Sequence, residues 1–251
     1  MTVIKEKLDY IICGGGASGL LLFRALKDDP HFSEKKFLLI ERASKNSNDR
    51  TWSFWEKSGG YFDDLLAKQW NEAAFIGPEK KQVFHLAPYQ YKMLRSATFY
   101  EKYFPQPTDK KPLQILRAQV SKIKSEKGGC EVHTDKGTYA ASIVFSSLFD
   151  PKVLLSQSKY PVLKQHFIGW FVKAPKGSFD PDQILFMDFN IPQHEQTRFL
   201  YLLPQDDQHA LVEYTLFSKE LLEKKEYEEG IKNYLDRIGI TNYIIQEKEQ
   251  G

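Results

Sequence analysis

Six residues near the amino terminus have the types and spacing to hold a diphosphate. Gly14-Gly15-Gly16-Ala17-Ser18-Gly19 satisfies G-x-G-x-x-G, directly after the apolar run Leu8–Cys13 (LDYIIC) and before the helically spaced Ser18–Lys27 (SGLLLFRALK). In that setting Gly14 permits a tight turn, Gly16 lets the backbone approach a pyrophosphate, and Gly19 lets the helix pack close to the sheet. The helix N-terminus at Ala17 supplies free N–H groups to the anion. Glu41 ends a second apolar run, Phe37–Glu41 (FLLIE), about 20 residues further on, where a carboxylate accepts from both ribose hydroxyls of an adenosine and repels the 2′-phosphate of NADP. A glycine-rich bend without a ligand would leave Glu41 and the three glycines unexplained. FAD rather than NAD is expected, because the unit stands at the extreme N-terminus and a β-rich meander follows it.

A second candidate is acidic. Glu213 lies inside ALVEYTLF (210–217), where burial would raise a carboxyl's pKa and hold its proton. The competing reading is an ion-paired residue on the open face of an amphipathic strand. Asp188, at the end of another strand-like run, is either a second carboxyl of the same site or a strand-end turn acid. The two cysteines, Cys13 and Cys130, are far apart and lack a CxxC or Cys/His ligand spacing, which argues against a disulfide framework and a structural zinc site. The six histidines form no HxxxH or Ser/His/Asp pattern, so metal and serine-nucleophile chemistry are set aside.

The elements that must position these residues follow from the pattern. Strand, glycine turn, helix and second strand predict a right-handed unit with a parallel strand pair. Asn46–Lys57 (NSNDRTWSFWEK) reads as an ordered loop, and Tyr89–Tyr103 as a helix. Gln114–Phe149 reads as three β segments with turns at 126–129 and 135–137. FIGWFVKA, DQILFMDF, RFLYLLP and ALVEYTLF predict a second, antiparallel region, and 219–238 a surface helix. The fold class is therefore α/β: a Rossmann-like FAD/NAD(P)-binding domain over 1–150, with substrate-region loops 46–112 interleaved, and an antiparallel-sheet substrate region over 151–251. The chain has 251 residues, 41% of them hydrophobic, and a formal charge of +2 without a basic tract, which speaks against nucleic acid as a partner. The longest uncharged apolar run, Tyr10–Phe23, is shorter than the about 20 residues a bilayer span needs. No signal peptide is visible, and a cytoplasmic setting is expected.

Beyond the glycine turn, three groups of residues carry a resemblance to the lycopene cyclases of the bacterial flavoprotein type. They are Asp49-Arg50-Thr51-Trp52-Ser53-Phe54-Trp55; Pro88-Tyr89 with Tyr91-Lys92-Met93-Leu94-Arg95; and Met187-Asp188-Phe189 with Phe199–Pro204 and Leu211-Val212-Glu213-Tyr214-Thr215. The resemblance implies that lycopene's open-chain end groups close to β-rings, giving γ- or β-carotene without net redox change. It further implies FAD in its reduced form, NADPH as the reductant, and peripheral attachment to the inner face of the cell membrane. Glu213 falls at the family's essential glutamate, and Asp188 is implied to orient it or line the pocket. Trp52, Phe54 and Trp55 would line a polyene tunnel, and Arg50 and Arg95 would contact the flavin's phosphates. Fuller members are expected to run past Gly251, with a Pro-Met motif and a late glycine-rich segment, so a C-terminally truncated form is expected here. The alternatives are an FAD-dependent hydroxylase or reductase of a lipophilic substrate, although no Asp-Gly dipeptide occurs, and a truncated non-catalytic FAD-binding remnant.

Overall fold

The computed structural model describes residues 8–105 and 113–251. The chain runs β1 (Leu8–Cys13), α1 (Ala17–Asp28), β2 (Phe37–Ile40), β3 (Thr51–Lys57), β4 (Leu66–Trp70), β5 (Glu72–Ile76), β6 (Lys81–His85), β7 (Tyr89–Arg95), α2 (Ser96–Tyr103) and β8 (Leu113–Leu116). It continues through β9 (Val120–Glu126), β10 (Gly129–Thr134), β11 (Gly137–Ser146), α3 (Pro151–Leu155), β12 (Lys164–Lys173), β13 (Gln183–Asp188), β14 (Thr197–Pro204), β15 (His209–Ser218), α4 (Lys224–Arg237) and β16 (Ile244–Gln250). The described residues form two compact units: 8–49 with 96–105 and 113–151, and 50–95 with 152–251.

The first unit is a six-stranded sheet in the order β8-β2-β1-β11-β10-β9. β8, β2, β1 and β11 run parallel, and β9–β11 form the antiparallel meander expected from the sequence. Strands covered on both faces read as unbroken apolar runs, and all four residues of β2 are buried. α1 buries Leu20 and Phe23, the latter edge-on to Phe37. α2 buries Phe99, Tyr100 and Tyr103.

The second unit holds a seven-stranded sheet, β16-β12-β15-β14-β13-β5-β6, and a three-stranded sheet, β3-β7-β4. The larger sheet is antiparallel apart from the parallel pair β5/β13. That pairing brings 50–95 together with 152–251. On one face Trp70, Tyr91 and Met93 pack against Phe171, Ile184, Leu203 and Leu211. On the other, α4 lays Tyr227, Ile231, Tyr234 and Leu235 over Ile168, Trp170, Val212 and Leu216. β15 is thus covered on both sides, and Glu213 is its one carboxyl.

Two local expectations change. Thr51–Lys57 is not a loop but strand β3, paired along its whole length with β7. Trp52 and Phe54 fall on one face and Trp55 on the other, which a run of three rings in four residues disguises. Tyr89–Arg95 is likewise strand rather than helix, because β3 and β4 offer it partners on both sides, and the helix begins only at Ser96.

Candidate active site

The glycine turn is built as a ligand cradle. Gly14 has φ +106°, and a Cβ there would lie 2.0 Å from Ser147 Oγ. A Cβ on Gly19 would fall 2.0 Å from the Gly14 carbonyl oxygen, so helix and strand approach closely only with glycine at this position. α1 has no side-chain cap, which leaves its first N–H groups for an anion, and nothing lies within 4 Å of the Gly16 Cβ position to obstruct one. Glu41 is buried beside the turn: Oε2 accepts from the Gly15 N–H and Oε1 from the Ala43 N–H, both at 2.7 Å. A carboxylate offers about four lone-pair sites, so Glu41 retains capacity for two hydroxyls. Asp49, first residue of the DRTWSFW motif, accepts from Ser96 Oγ (3.0 Å), Tyr100 Oη (2.9 Å) and Lys45 Nζ (2.9 Å), and so fastens the start of α2.

The second unit holds the acid. Glu213 faces the three-stranded sheet from the middle of β15, with Gly169 opposite on β12 and Tyr201 opposite on β14. Gly169 pairs on its other side with Glu249 of β16, so the two glutamates share one cross-strand row. Thr215 Oγ1 donates to Glu213 Oε1 at 2.6 Å, and Thr51 Oγ1 donates to Glu249 Oε2 at 2.7 Å. Burial pushes the Glu213 carboxyl up to about 7; the Thr215 hydrogen bond opposes this and the Glu249 carboxyl reinforces it. Burial also raises Glu249, against the Thr51 hydrogen bond and the nearby Arg95 guanidinium. Burial and then the charge of Glu213 push the Tyr201 phenol up to about 12, which marks the two as neighbours. An aromatic wall continues from Tyr201 to Phe186 (5.6 Å between centroids), from Phe186 to Tyr91 (5.4 Å) and Trp55 (5.2 Å), and from Tyr201 to Phe199 (5.0 Å). A carboxyl that keeps its proton in about half the molecules at pH 7, beside electron-rich rings, is suited to protonating a very weak base and sheltering the cation that results.

The other sequence candidates lie elsewhere. Asp188 is buried on the α4 side of the seven-stranded sheet, where Oδ2 accepts from Arg237 and Oδ1 from the Asn190 N–H, both at 2.8 Å. It is not brought to Glu213. Arg95 pairs with Glu247 of β16 and stacks over Phe171, 4.0 Å from its centroid. Arg50, exposed, acts electrostatically on Glu249. Of the three aromatics in β3, Trp55 joins the wall, and Phe54 packs on Phe62. Glu249, Thr51, Tyr91 and Tyr201 were not singled out by sequence reasoning. For Tyr201 the signal existed: strand alternation in RFLYLLP places it level with a residue of ALVEYTLF. Among the described residues no group of three His, Cys, Asp or Glu is placed to hold a metal, and no helix is long and apolar enough to cross a membrane.

With the fold and both sites in view, the relatives can be stated. The model of the family described as lycopene cyclase protein matches residues 9–251, and the chain belongs to that family. No curated protein sequence matches it. Among solved structures it resembles a geranylgeranyl bacteriochlorophyll reductase-like protein from Thermoplasma acidophilum (TM-score 0.67, 13% identity, 98% of this chain and 66% of that one). It also resembles the halogenase PltM in complex with phloroglucinol and FAD (0.64, 10%, 97% and 60%). A third similar structure is the p-nitrophenol 4-monooxygenase PnpA from Pseudomonas putida DLL-E4 (0.65, 13%, 98% and 68%). At these identities the likeness shows the fold, a Rossmann-like unit with a second sheet region. The chain spans 60–68% of the length of these structures.

Proposed function

We propose that this chain acts as an FAD-dependent lycopene β-cyclase, closing the open end groups of lycopene to β-rings without net redox change and yielding γ- or β-carotene. Membership of the family supports this reading, and the observation that carries it is Glu213, a carboxyl pushed up to about 7 within an apolar, aromatic setting. At pH 7 an ordinary glutamate near 4.5 holds its proton in only roughly one molecule in 300, whereas Glu213 holds it in about half. The terminal alkene of a polyene is so weak a base that this difference decides whether a donor is available.

Neutral Glu213 gives its proton to the alkene, and the neighbouring electron-rich rings, Tyr201 and Tyr91 with Phe186 between them, attract a cationic centre. In the first unit, the backbone at Gly14, Gly16 and Ala17 would hold the pyrophosphate of FAD at the start of α1, and Glu41 the adenosine ribose. Bound FAD, kept reduced by NADPH, supplies negative charge that stabilises a cation. Peripheral contact with the inner face of the cell membrane is the route by which so apolar a substrate arrives.

Expression of the chain in cells that accumulate lycopene tests the reading. The parent converts red pigment to yellow-orange cyclised carotene, and Glu213→Gln leaves lycopene unconverted with flavin still bound. Lycopene unchanged by the parent itself would sink the cyclase reading.

A further inference from the structure

An alkene-derived cation is quenched only when a neighbouring C–H bond loses its proton to a base, and the acid that began the reaction must then recover a proton. An isomerisation returns as many protons as it takes, so an acceptor beside the donor closes the cycle without solvent. β16 supplies a residue at that place. Glu249 stands in the same cross-strand row as Glu213, and only Gly169 lies between them. A Cβ on Gly169 would come within 3.2 Å of Glu249 Cγ, 3.5 Å of its Oε1 and 3.0 Å of Leu211 Cδ1. The glutamate therefore occupies the space that a side chain at this position would have filled. One oxygen of each carboxyl is tied down, Glu249 Oε2 by Thr51 and Glu213 Oε1 by Thr215. The second oxygen of each has no hydrogen-bond donor among the described residues, so each keeps a lone pair for proton exchange. The surroundings set the two apart: the guanidinium groups of Arg95 and Arg50 act on Glu249, whereas no cation acts on Glu213. Pairs of carboxyls placed in such unequal environments take the separate parts of base and acid.

We infer that Glu249 is the base of the cyclisation, accepting the proton released as the ring double bond forms and returning it to Glu213. The inference rests on Glu213 as the proton donor. In the full step the Glu213 O–H bond breaks as a C–H bond forms at the terminal alkene, and a C–C bond closes the ring. A C–H bond beside the cation then breaks, its electron pair becoming the ring double bond and its proton passing to Glu249. Transfer of that proton to the Glu213 carboxylate restores both side chains, and no electron leaves the substrate.

The test compares Glu249→Gln, Glu249→Asp and Glu213→Gln in the full chain, in lycopene-accumulating cells and as purified protein with its flavin content measured. Glu249→Gln is expected to retain flavin, to lose about 100-fold or more in turnover, and to give residual product whose ring double bond has moved to another carbon. Glu249→Asp recovers part of the rate and the parent's ring type. Turnover of Glu249→Gln within about threefold of the parent, with only β-rings formed and Glu213→Gln inactive, overturns the assignment of Glu249 alone. Activity of Glu213→Gln removes the donor, and the base with it, and so reads differently. Should Glu249→Gln lose its flavin, Thr51→Val is decisive, because it keeps the carboxylate and removes only its hydrogen bond. A loss of about tenfold supports the role, and an unchanged rate overturns it.

Discussion

Burial favours the neutral form of Glu213, the Thr215 hydroxyl opposes it by bonding to the carboxylate, and the Glu249 carboxyl adds to the effect of burial. Each contribution has a sign that can be checked. Activity that needs the protonated acid should fall about tenfold per unit as the pH rises above 7, because the working fraction titrates at about 7. Thr215→Val removes the hydrogen bond that favours the anion, so the falling limb of the rate profile should move to higher pH; a move to lower pH would contradict the assignment. Stability carries the same signature. A carboxyl raised from 4.5 unfolded to about 7 folded contributes stability that is full below 4.5 and lost as pH rises through 7. Glu213→Gln should flatten the urea midpoint across that window while leaving the rest of its pH dependence in place.

The elements around the acid divide into those that position it and those that support the sheet, and α4 belongs to the second group. It starts with a capping box between Glu223 and Glu226, buries Ile231 completely against β15 and neighbouring strands, and is tied to β13 by Arg237 and Asp188. Ile231→Ala should cost about 2–5 kcal/mol in urea unfolding, as a fully buried aliphatic truncation does. Asp188→Asn should cost about 1.5–3 kcal/mol through the weakened bond to Arg237 and leave the falling limb of the pH–rate profile where it is. How far such elements were legible depends on whether their signals are local. β1, α1 and β2 were, because glycines, helical spacing and apolar runs occur in one short stretch. β12–β15 were legible because two covered faces force continuous apolar sequence. β7 was not, since its strand pairing comes from partners 32 or more residues away in β3, which no window around Tyr91 contains. β16 was not, since IIQEKEQ has one accessible face and a charged composition, and Glu249 gains its meaning only from the register with Gly169. Glu213 itself was visible as the one carboxyl in an apolar strand, but its neighbours Tyr201, Tyr91 and Glu249 come from three other strands.

Across the whole molecule the chain passes from one unit to the other after residue 49, again after 95 and again after 151, so each unit is assembled from segments distant in sequence. A cofactor held by the first unit therefore stabilises a fold assembled from two separate stretches, 8–49 and 96–151. Ligand bound only to the folded state adds RT ln(1 + [L]/Kd), about 2.7 kcal/mol at a hundredfold excess over Kd, so FAD should raise the melting temperature of the purified chain by several degrees. Two glycine substitutions separate the cradle from the scaffold. Gly16 has ordinary extended backbone geometry, φ −80° and ψ −171°, and open space around its Cβ position. Gly16→Val should leave the melting temperature without FAD within a degree or two of the parent, because the new side chain meets no protein atom, and should remove the FAD-dependent rise, because it fills the path to the helix N-terminus. Gly19 is the opposite case: its Cβ would strike the Gly14 carbonyl at 2.0 Å. Gly19→Ala should lower the melting temperature even without FAD, by the about 1–3 kcal/mol that overpacking costs. A Gly16→Val protein that still gains the full FAD-dependent rise would show that the pyrophosphate does not sit at the start of α1.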